Sequence, residues 1–369
     1  MATYRETVKR AIEFGGPDWT PYMISFRAQD TAECWGADAV PRLQAALRDL
    51  GVPERNGVFA EQPIVASVYP AQSTIGADAV RTGTPREPFR PLSEGEWADE
   101  WGVIWTDRHM PRAVGHPFES GWEEMAGYQL PDPRAPGRYD GAKKTIADHP
   151  DRYALGHVWF TLFERLWFLR GFNNMLMDPY VYPNEFTELR DRILAFSVAS
   201  IEEQLKLGVD GIYFSDDWGT QLGLLMKPDD WRAWFKPCYQ AMFDAVHAGG
   251  AHVWMHLCGN VTAIIGDLIE IGLNVLNPLQ PQAMDVAALA AEFGGRVCFH
   301  GGADVQGTLP RGSVQDVEDE VKYLIDTLGN GSGGYIGGTS HSIMPETPTE
   351  NIVALFRAFR EHSGWAGDN

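Results

Sequence analysis

Ala251-His-Val-Trp-Met-His-Leu-Cys-Gly-Asn260 reads as a short buried strand that ends in a His-x-Cys-Gly turn, and its flanks extend that reading to most of the chain. Successive side chains on a strand point to opposite faces, so His256 and Cys258, two apart, project to the same side. An imidazole nitrogen and a sulfur then converge on one point, which is half of a zinc site, and Gly259 lets the backbone turn without crowding what binds there. The pair alone is equally compatible with a core histidine beside a buried structural thiol.

Outward from this stretch, strand and helix alternate without a break. Upstream lie Tyr153 to Phe160 (strand), Phe163 to Phe172 (helix), Pro183 to Gly208 (helix), Gly211 to Phe214 (strand) and Trp231 to Ala248 (helix). Downstream come Val261 to Ile271 (helix), Asn274 to Leu276 (strand), Val286 to Glu292 (helix), Arg296 to His300 (strand), Ser313 to Leu328 (helix), Gly334 to Ile336 (strand) and Thr349 to Glu361 (helix). Such alternation requires parallel strands joined by crossover helices. Short apolar segments near 22 to 26 and 63 to 68 raise the strand count to eight, which predicts an α/β fold of the distorted (β/α)8 TIM-barrel type, closed on itself, with an N-terminal elaboration. Residues 1–369 are read as one barrel domain. A region at about 55–150, rich in Pro, Gly and Trp, is an insertion that either walls a pocket or is a surface excursion; it includes an expected strand over Trp101 to Thr106. Ahead of it come an amphipathic helix over residues 3 to 14, Arg27 at the rim of the first strand, and a helix from Asp38 to Leu50.

Barrel chemistry sits just beyond the C-terminal end of each strand. Those positions carry Ser215-Asp216-Asp217-Trp218, then His256 and Cys258, then Asn277-Pro278-Leu279-Gln280. His300-Gly-Gly-Ala-Asp304 with Gln306 follows, and finally Gly337-Gly-Thr-Ser-His341. Each has a structural alternative: Asp216 or Asp217 as a helix cap, His300 as a core residue, His341 in an exposed loop. Their recurrence at consecutive strand ends points to a site. Thr347-Pro-Thr-Glu350 reads as a capping box opening the last helix.

Composition narrows the function. With 50 acidic against 30 basic residues the net charge is -20, which disfavours nucleic-acid, anionic-membrane and polyanionic partners. Cys34, Cys238, Cys258 and Cys298 are too scattered for a disulfide framework, so a reducing cytoplasm is expected. The charged, amphipathic start is a first helix rather than a signal peptide, and no apolar run has membrane-spanning length.

Asp210-Gly-Ile-Tyr-Phe-Ser-Asp-Asp-Trp218, His256-Leu-Cys-Gly259, Gly272-Leu-Asn-Val275, His300-Gly-Gly-Ala-Asp304 and His341-Ser-Ile-Met-Pro-Glu-Thr-Pro-Thr-Glu-Asn351 occur in an order that resembles the uroporphyrinogen decarboxylase superfamily. That superfamily includes the decarboxylases and the zinc-dependent methylcobamide:thiol methyltransferases with their demethylase relatives. The resemblance covers roughly residues 150 to 365. Thr20-Pro-Tyr-Met-Ile-Ser-Phe-Arg-Ala-Gln-Asp30 lacks the arginine-rich pattern with which the decarboxylases hold their tetrapyrrole, which argues for the methyltransferase branch. That branch binds zinc through His-x-Cys and a later cysteine; here His341 stands at the later position, as in the decarboxylases.

The resemblance therefore implies a zinc site of His256, Cys258 and His341, with cobalamin carried by a separate corrinoid protein and, at most, a homodimer. One thiolate and two neutral imidazoles would leave net +1 at zinc, which favours activating a methyl donor such as a methyl ether or methylamine over a thiol. Asp216 or Asp217 would act as base or orient the substrate; Arg27, Tyr213, Trp218, His300 and Gln306 are the expected pocket residues. The alternatives are a metal-free decarboxylase using His341 and an aspartate, and a catalytically idle barrel serving as a subunit.

Overall fold

The polar strand ends gather on one face because the barrel strands run parallel, and the other end of the barrel is plugged. In a computed structural model, the helix Tyr4–Ile12 is capped at Thr3, whose hydroxyl and the Glu6 carboxylate exchange hydrogen bonds with each other's backbone. It buries Val8, Ala11 and Ile12 against Tyr153, Leu155, Trp254, Val275, Cys298 and Ile336. Arg5 and Lys9 of the same helix reach the buried Asp210 carboxylate at 2.7 and 2.8 Å. The structure describes residues 2–27, 35–36, 38–52, 54–55, 58–61, 65–68, 90–93, 95–106, 112–329 and 331–365, with backbone only for residues 25, 27, 54–68 and 90–91.

The strands are β1 (Tyr22–Arg27), β2 (Glu54–Arg55), β3 (Val58–Glu61), β4 (Val65–Val68), β5 (Arg90–Ser93), β6 (Glu96–Ala98) and β7 (Ile104–Thr106). They continue with β8 (Arg112–Gly115), β9 (Tyr153–Val158), β10 (Gly211–Ser215), β11 (His252–His256), β12 (Val275–Leu279), β13 (Cys298–Ala303) and β14 (Tyr335–Thr339). Parallel ladders join β4, β9, β10, β11, β12, β13, β14 and β1 in that order, the strand sequence of a TIM-type barrel. β9, β12 and β13 are buried throughout, as strands covered on both faces must be.

The distortion of the expected barrel lies at one seam. Among the described residues no ladder joins β1 to β4; the free edge of β1 pairs antiparallel with β3, which pairs with β2.

The outer helices follow their apolar stripes. The helix Val314–Leu328 buries Val317, Val321, Leu324, Ile325 and Leu328, and Ser313 caps it in a box with Asp316. The last helix, Thr349–His362, has no side-chain cap, and the expected box at Thr347 does not form: its buried hydroxyl has no hydrogen-bond partner. The stretch expected as one helix from Trp231 to Ala248 breaks at Phe235, where Lys236-Pro237 opens a second helix.

Within the insertion, β5 to β8 form an antiparallel sheet and Trp101-to-Thr106 contributes only β7 to it. The tryptophan richness is core: Trp97, Trp101 and Trp105 are buried, with Trp105 against Phe168 at 4.8 Å and Trp101 against Phe196 at 4.7 Å between ring centroids. The insertion is thus anchored on the helices that follow β9, beside the open rim.

Candidate functional site

Ser215, His256 and Asn277 are register partners across β10, β11 and β12, so three polar side chains stand level at the rim. Beyond them, Cys258 N–H donates to Asp217 Oδ1 at 2.9 Å, which braces the His-x-Cys turn from the next loop. Gly259 has φ +81, and a Cβ there would lie 2.5 Å from the Gly219 carbonyl oxygen. Only glycine lets these two loops touch. Asn260 N–H donates to Thr220 O and Gly219 N–H to Cys258 O, tying them together.

The side-chain donor atoms of His256, Cys258 and His341 all lie within 4.8 Å of one another. His256 Nε2 is 3.2 Å from Cys258 Sγ, and the His256 and His341 rings are 5.8 Å apart. Two donors come from β11, and the third follows β14 on the opposite side of the barrel mouth, where His341 is exposed. A mouth of this shape lets a cation be held from two sides while one position faces solvent.

Asn277 sets the proton on His256. Asn277 Nδ2 lies 2.9 Å from His300 Nδ1 and 3.4 Å from the His300 carbonyl oxygen, which requires the amide nitrogen on that side. Oδ1 then faces His256 Nδ1 at 2.7 Å and accepts the Tyr213 hydroxyl at 2.6 Å. With the Tyr213 oxygen 2.9 Å from Nδ1 as well, lone pairs surround that nitrogen, so Nδ1 carries the proton and Nε2 presents its lone pair toward Cys258. His300 accepts from Asn277 and stays neutral, its pKa pushed down to about 3 by burial and by His256.

The thiol has the opposite problem. Burial, then the Asp217 and Glu164 carboxylates, push the Cys258 thiol well above its ordinary range. A thiolate there needs a nearby positive charge, and a soft divalent cation bound by the imidazoles supplies one. The donor set, the fixed tautomer and the suppressed thiolate together fit a metal such as zinc.

The remaining expected residues divide. Asp217 and Tyr213 adjoin the cluster. His300 lies beneath it, one hydrogen bond behind Asn277. Gln306 is exposed and joins Gln280 at 3.0 Å, which in turn accepts from Gly259 N–H at 2.9 Å. Asp216 is turned away: it accepts from the N–H groups of Leu162, Phe163 and Glu164 and from the Tyr239 hydroxyl, capping the helix Phe163–Arg170. Burial raises its pKa to about 6. Trp218 is fully buried, stacked on Phe163 at 4.1 Å with its indole N–H on Tyr239. Neither is available as a base or a substrate wall. The Arg27 side chain and Cys34 lie outside the described residues.

Two further residues were given no role by the sequence. Asn277 sits at a strand end, but its role depends on the register of three strands. Glu164 opens a helix and looks like a solvated first-turn acid, yet it is buried, accepts from Ser215 Oγ at 3.3 Å, and has its pKa pushed well up by burial and by Asp217 and Asp216.

Comparison with known proteins gives the family and supports the fold. Over 190 residues the chain is 26% identical to uroporphyrinogen decarboxylase of Nostoc punctiforme, covering 51% of this chain and 50% of that protein. Over 181 residues it is 27% identical to methylcobamide:CoM methyltransferase MtaA of Methanosarcina barkeri, covering 48% of this chain and 49% of that one. The chain therefore spans about half the length of these relatives. Among solved structures, a methyltransferase from Methanosarcina mazei superposes with a TM-score of 0.63 at 19% identity, covering 98% of this chain and 99% of that one, which supports the fold. The uroporphyrinogen decarboxylase (URO-D) family model matches residues 131–362, a span containing β9 to β14 and all three donors, so the chain belongs to that family.

Proposed function

We propose that the protein is a zinc-dependent methyltransferase that moves a methyl group between a small substrate, such as a methyl ether, methylamine or thiol, and cobalamin carried by a separate corrinoid protein. The observation that carries the reading is the nitrogen–sulfur–nitrogen cluster of His256, Cys258 and His341 within 4.8 Å at the open barrel mouth. Zinc bound there would supply Lewis acidity toward the atom that bears the methyl group. His256 offers Nε2 because Asn277 and Tyr213 hold the proton on Nδ1. Asp217 fixes the Cys258 backbone and orients the substrate beside the cluster. Burial and the neighbouring carboxylates raise the pKa of Glu164 beside Ser215, which suits it to hold a proton. The similarity to MtaA adds support for methyl transfer and for a corrinoid partner, and cytoplasmic location and an assembly no larger than a homodimer belong to the same reading. Among the described residues no helix is long and apolar enough to cross a membrane.

The test is metal analysis of protein purified without chelators, joined to an assay for methylation of free cob(I)alamin from candidate donors. The expected result is about one zinc per chain and donor-dependent methylcobalamin, both lost in Cys258→Ala. A metal-free protein, or unchanged methylation in Cys258→Ala, overturns the reading. The family model also covers decarboxylases, and release of carbon dioxide by metal-free protein would select that reaction instead.

A further inference from the structure

Arg165 stands in the first turn of the helix Phe163–Arg170, just after β9, and is 5% exposed. A buried guanidinium ordinarily directs its donors at carboxylates or carbonyl oxygens, because an unpaired buried charge is among the costliest features a core can hold. Here Nε and Nη1 are both buried and neither has a hydrogen-bond partner. The nearby acids direct their hydrogen bonds elsewhere, and only a loose ion pair joins Asp99 to Arg165. Asp99 accepts from Trp101 N–H, Val103 N–H and the Trp105 indole, and its Oδ2 stays 3.7 Å from Arg165 Nη1. Glu100 is gripped by Arg138 through two hydrogen bonds of 2.7 and 3.0 Å. What holds Arg165 in place is aromatic: its guanidinium lies over Trp101 at 4.3 Å and Phe160 at 5.6 Å.

Arg165, Trp101, Phe160, Glu100 and Arg138 wall a cavity at the C-terminal end of β9 together with His157, Trp159 and Thr161, with about 20 Å³ of room, enough for one small group. Tyr213 lies between it and the His256–Cys258–His341 donors. The His157 and Trp159 rings are 5.1 and 5.7 Å from the Tyr213 ring, whose hydroxyl hydrogen-bonds in the Asn277–His256 network.

We infer that Arg165 is a specificity-determining anion seat: a carboxylate of the substrate enters this aromatic-walled cavity and accepts hydrogen bonds from the unpartnered donors of Arg165, leaving the reacting end at the His256–Cys258–His341 cluster. The second half of that statement rests on the methyltransferase reading; the seat itself does not. A carboxylate fits on three grounds. It supplies acceptors for donors that have none, it is small and flat enough for the room available, and its flat faces suit the aromatic walls. Arg138 and Arg165 face Glu100 and Asp99 here, so an anion is held by the unfilled hydrogen-bond donors rather than by a net local charge or by the general field of a chain of net charge -20. The substrate class is then a small methyl-bearing acid rather than a neutral or cationic methyl compound.

The experiment uses the intact protein without added metal, with acetate as probe, acetamide as its neutral isostere and sulfate as a tetrahedral anion. Trp101 and Trp159 report through indole fluorescence, and thermal unfolding gives an independent readout. Acetate is expected to shift both saturably, acetamide and sulfate much less, and Arg165→Met is expected to weaken acetate binding at least about tenfold, the loss of a charge-assisted hydrogen bond. Acetate acting no better than acetamide, sulfate matching acetate, or Arg165→Met binding acetate as tightly as the parent overturns the seat. Should Arg165→Met fail to fold, the three probes on the parent protein still decide. Failure of methyl transfer would appear in the zinc and cobalamin assays and leave the acetate result standing, so the two readings fail separately.

Discussion

The rim beyond β10 to β14 and the wall built by residues 96–139 flank the same opening but are made in opposite ways. At the rim, ligating atoms are left without strong partners, and what is fixed is their orientation, through Asn277 and Asp217. In the wall nearly everything polar is consumed: Asp99 by its own loop, Glu100 by Arg138, and the tryptophans by packing. The rim keeps chemistry available at little cost to folding, while the wall holds its shape by burial, with Arg165 packed against it and two of its donors without a hydrogen bond. Substitutions should therefore separate the two, with rim variants losing ligand and wall variants losing stability.

The sharpest separation comes from Cys258→Ala, which should lose essentially all bound zinc while its thermal midpoint without metal stays within a few degrees of the parent, as read by metal analysis and calorimetry. Trp105→Ala should do the reverse, costing about 3–5 kcal/mol of stability as a large buried ring leaves a cavity, with zinc stoichiometry of the folded fraction unchanged. Equal zinc loss in both variants would break the contrast.

His300 tests the layer beneath the rim. Its folded pKa of about 3 lies below the ordinary value of 6.5, so the folded state binds fewer protons than the unfolded one. Its contribution to stability is complete above pH 6.5 and is lost as pH falls toward 3, at about 1.4 kcal/mol per unit. Denaturant titrations from pH 7 to 4.5 should show His300→Gln losing less stability on acidification than the parent, by about that slope. Parallel curves would mean that His300 is not held neutral by burial.

Asn277→Ala should weaken zinc binding roughly 10–100-fold, because the second partner that orients a ligating imidazole is removed, with a smaller effect on the unfolding midpoint. A competitive chelator titration measures it, and an unchanged affinity would show that Tyr213 alone holds the tautomer. The smallest expected effect is at Thr347, whose buried hydroxyl lacks a partner. Thr347→Val should be neutral or stabilising within about 1 kcal/mol, and a loss larger than that would reveal a partner supplied by solvent.

How much of this was legible in the sequence follows the same division. The strand order and the three donors were readable because parallel strands declare themselves by alternation with helices, and because strand ends are where a barrel exposes polar groups. The antiparallel pairing of β1 with β3 was not, since such an edge partner resembles any short apolar run. Asp216 and Asp217 are adjacent and chemically identical, and which of them faces the mouth depends on where the helix after β9 begins, a tertiary fact. The same holds for Arg165: a charged residue in a helix reads as solvated until the wall that buries it is in place. The tryptophans at 97, 101 and 105 were visible but ambiguous, because aromatic richness marks cores and binding surfaces alike.

The contact between Gly219 and Gly259 sets a tolerance for the whole centre. Since the loops after β10 and β11 meet backbone to backbone at Gly219 and Gly259, the spacing that the Asp217 carboxylate bridges to Cys258 N–H is set by a contact that does not relax the way a packed side chain does. Donor spacing at the rim is thus gauged by covalent geometry rather than by the quality of the core. The surrounding barrel can drift in sequence, and the insertion can be rebuilt for another substrate, while the ruler between the two loops keeps its length.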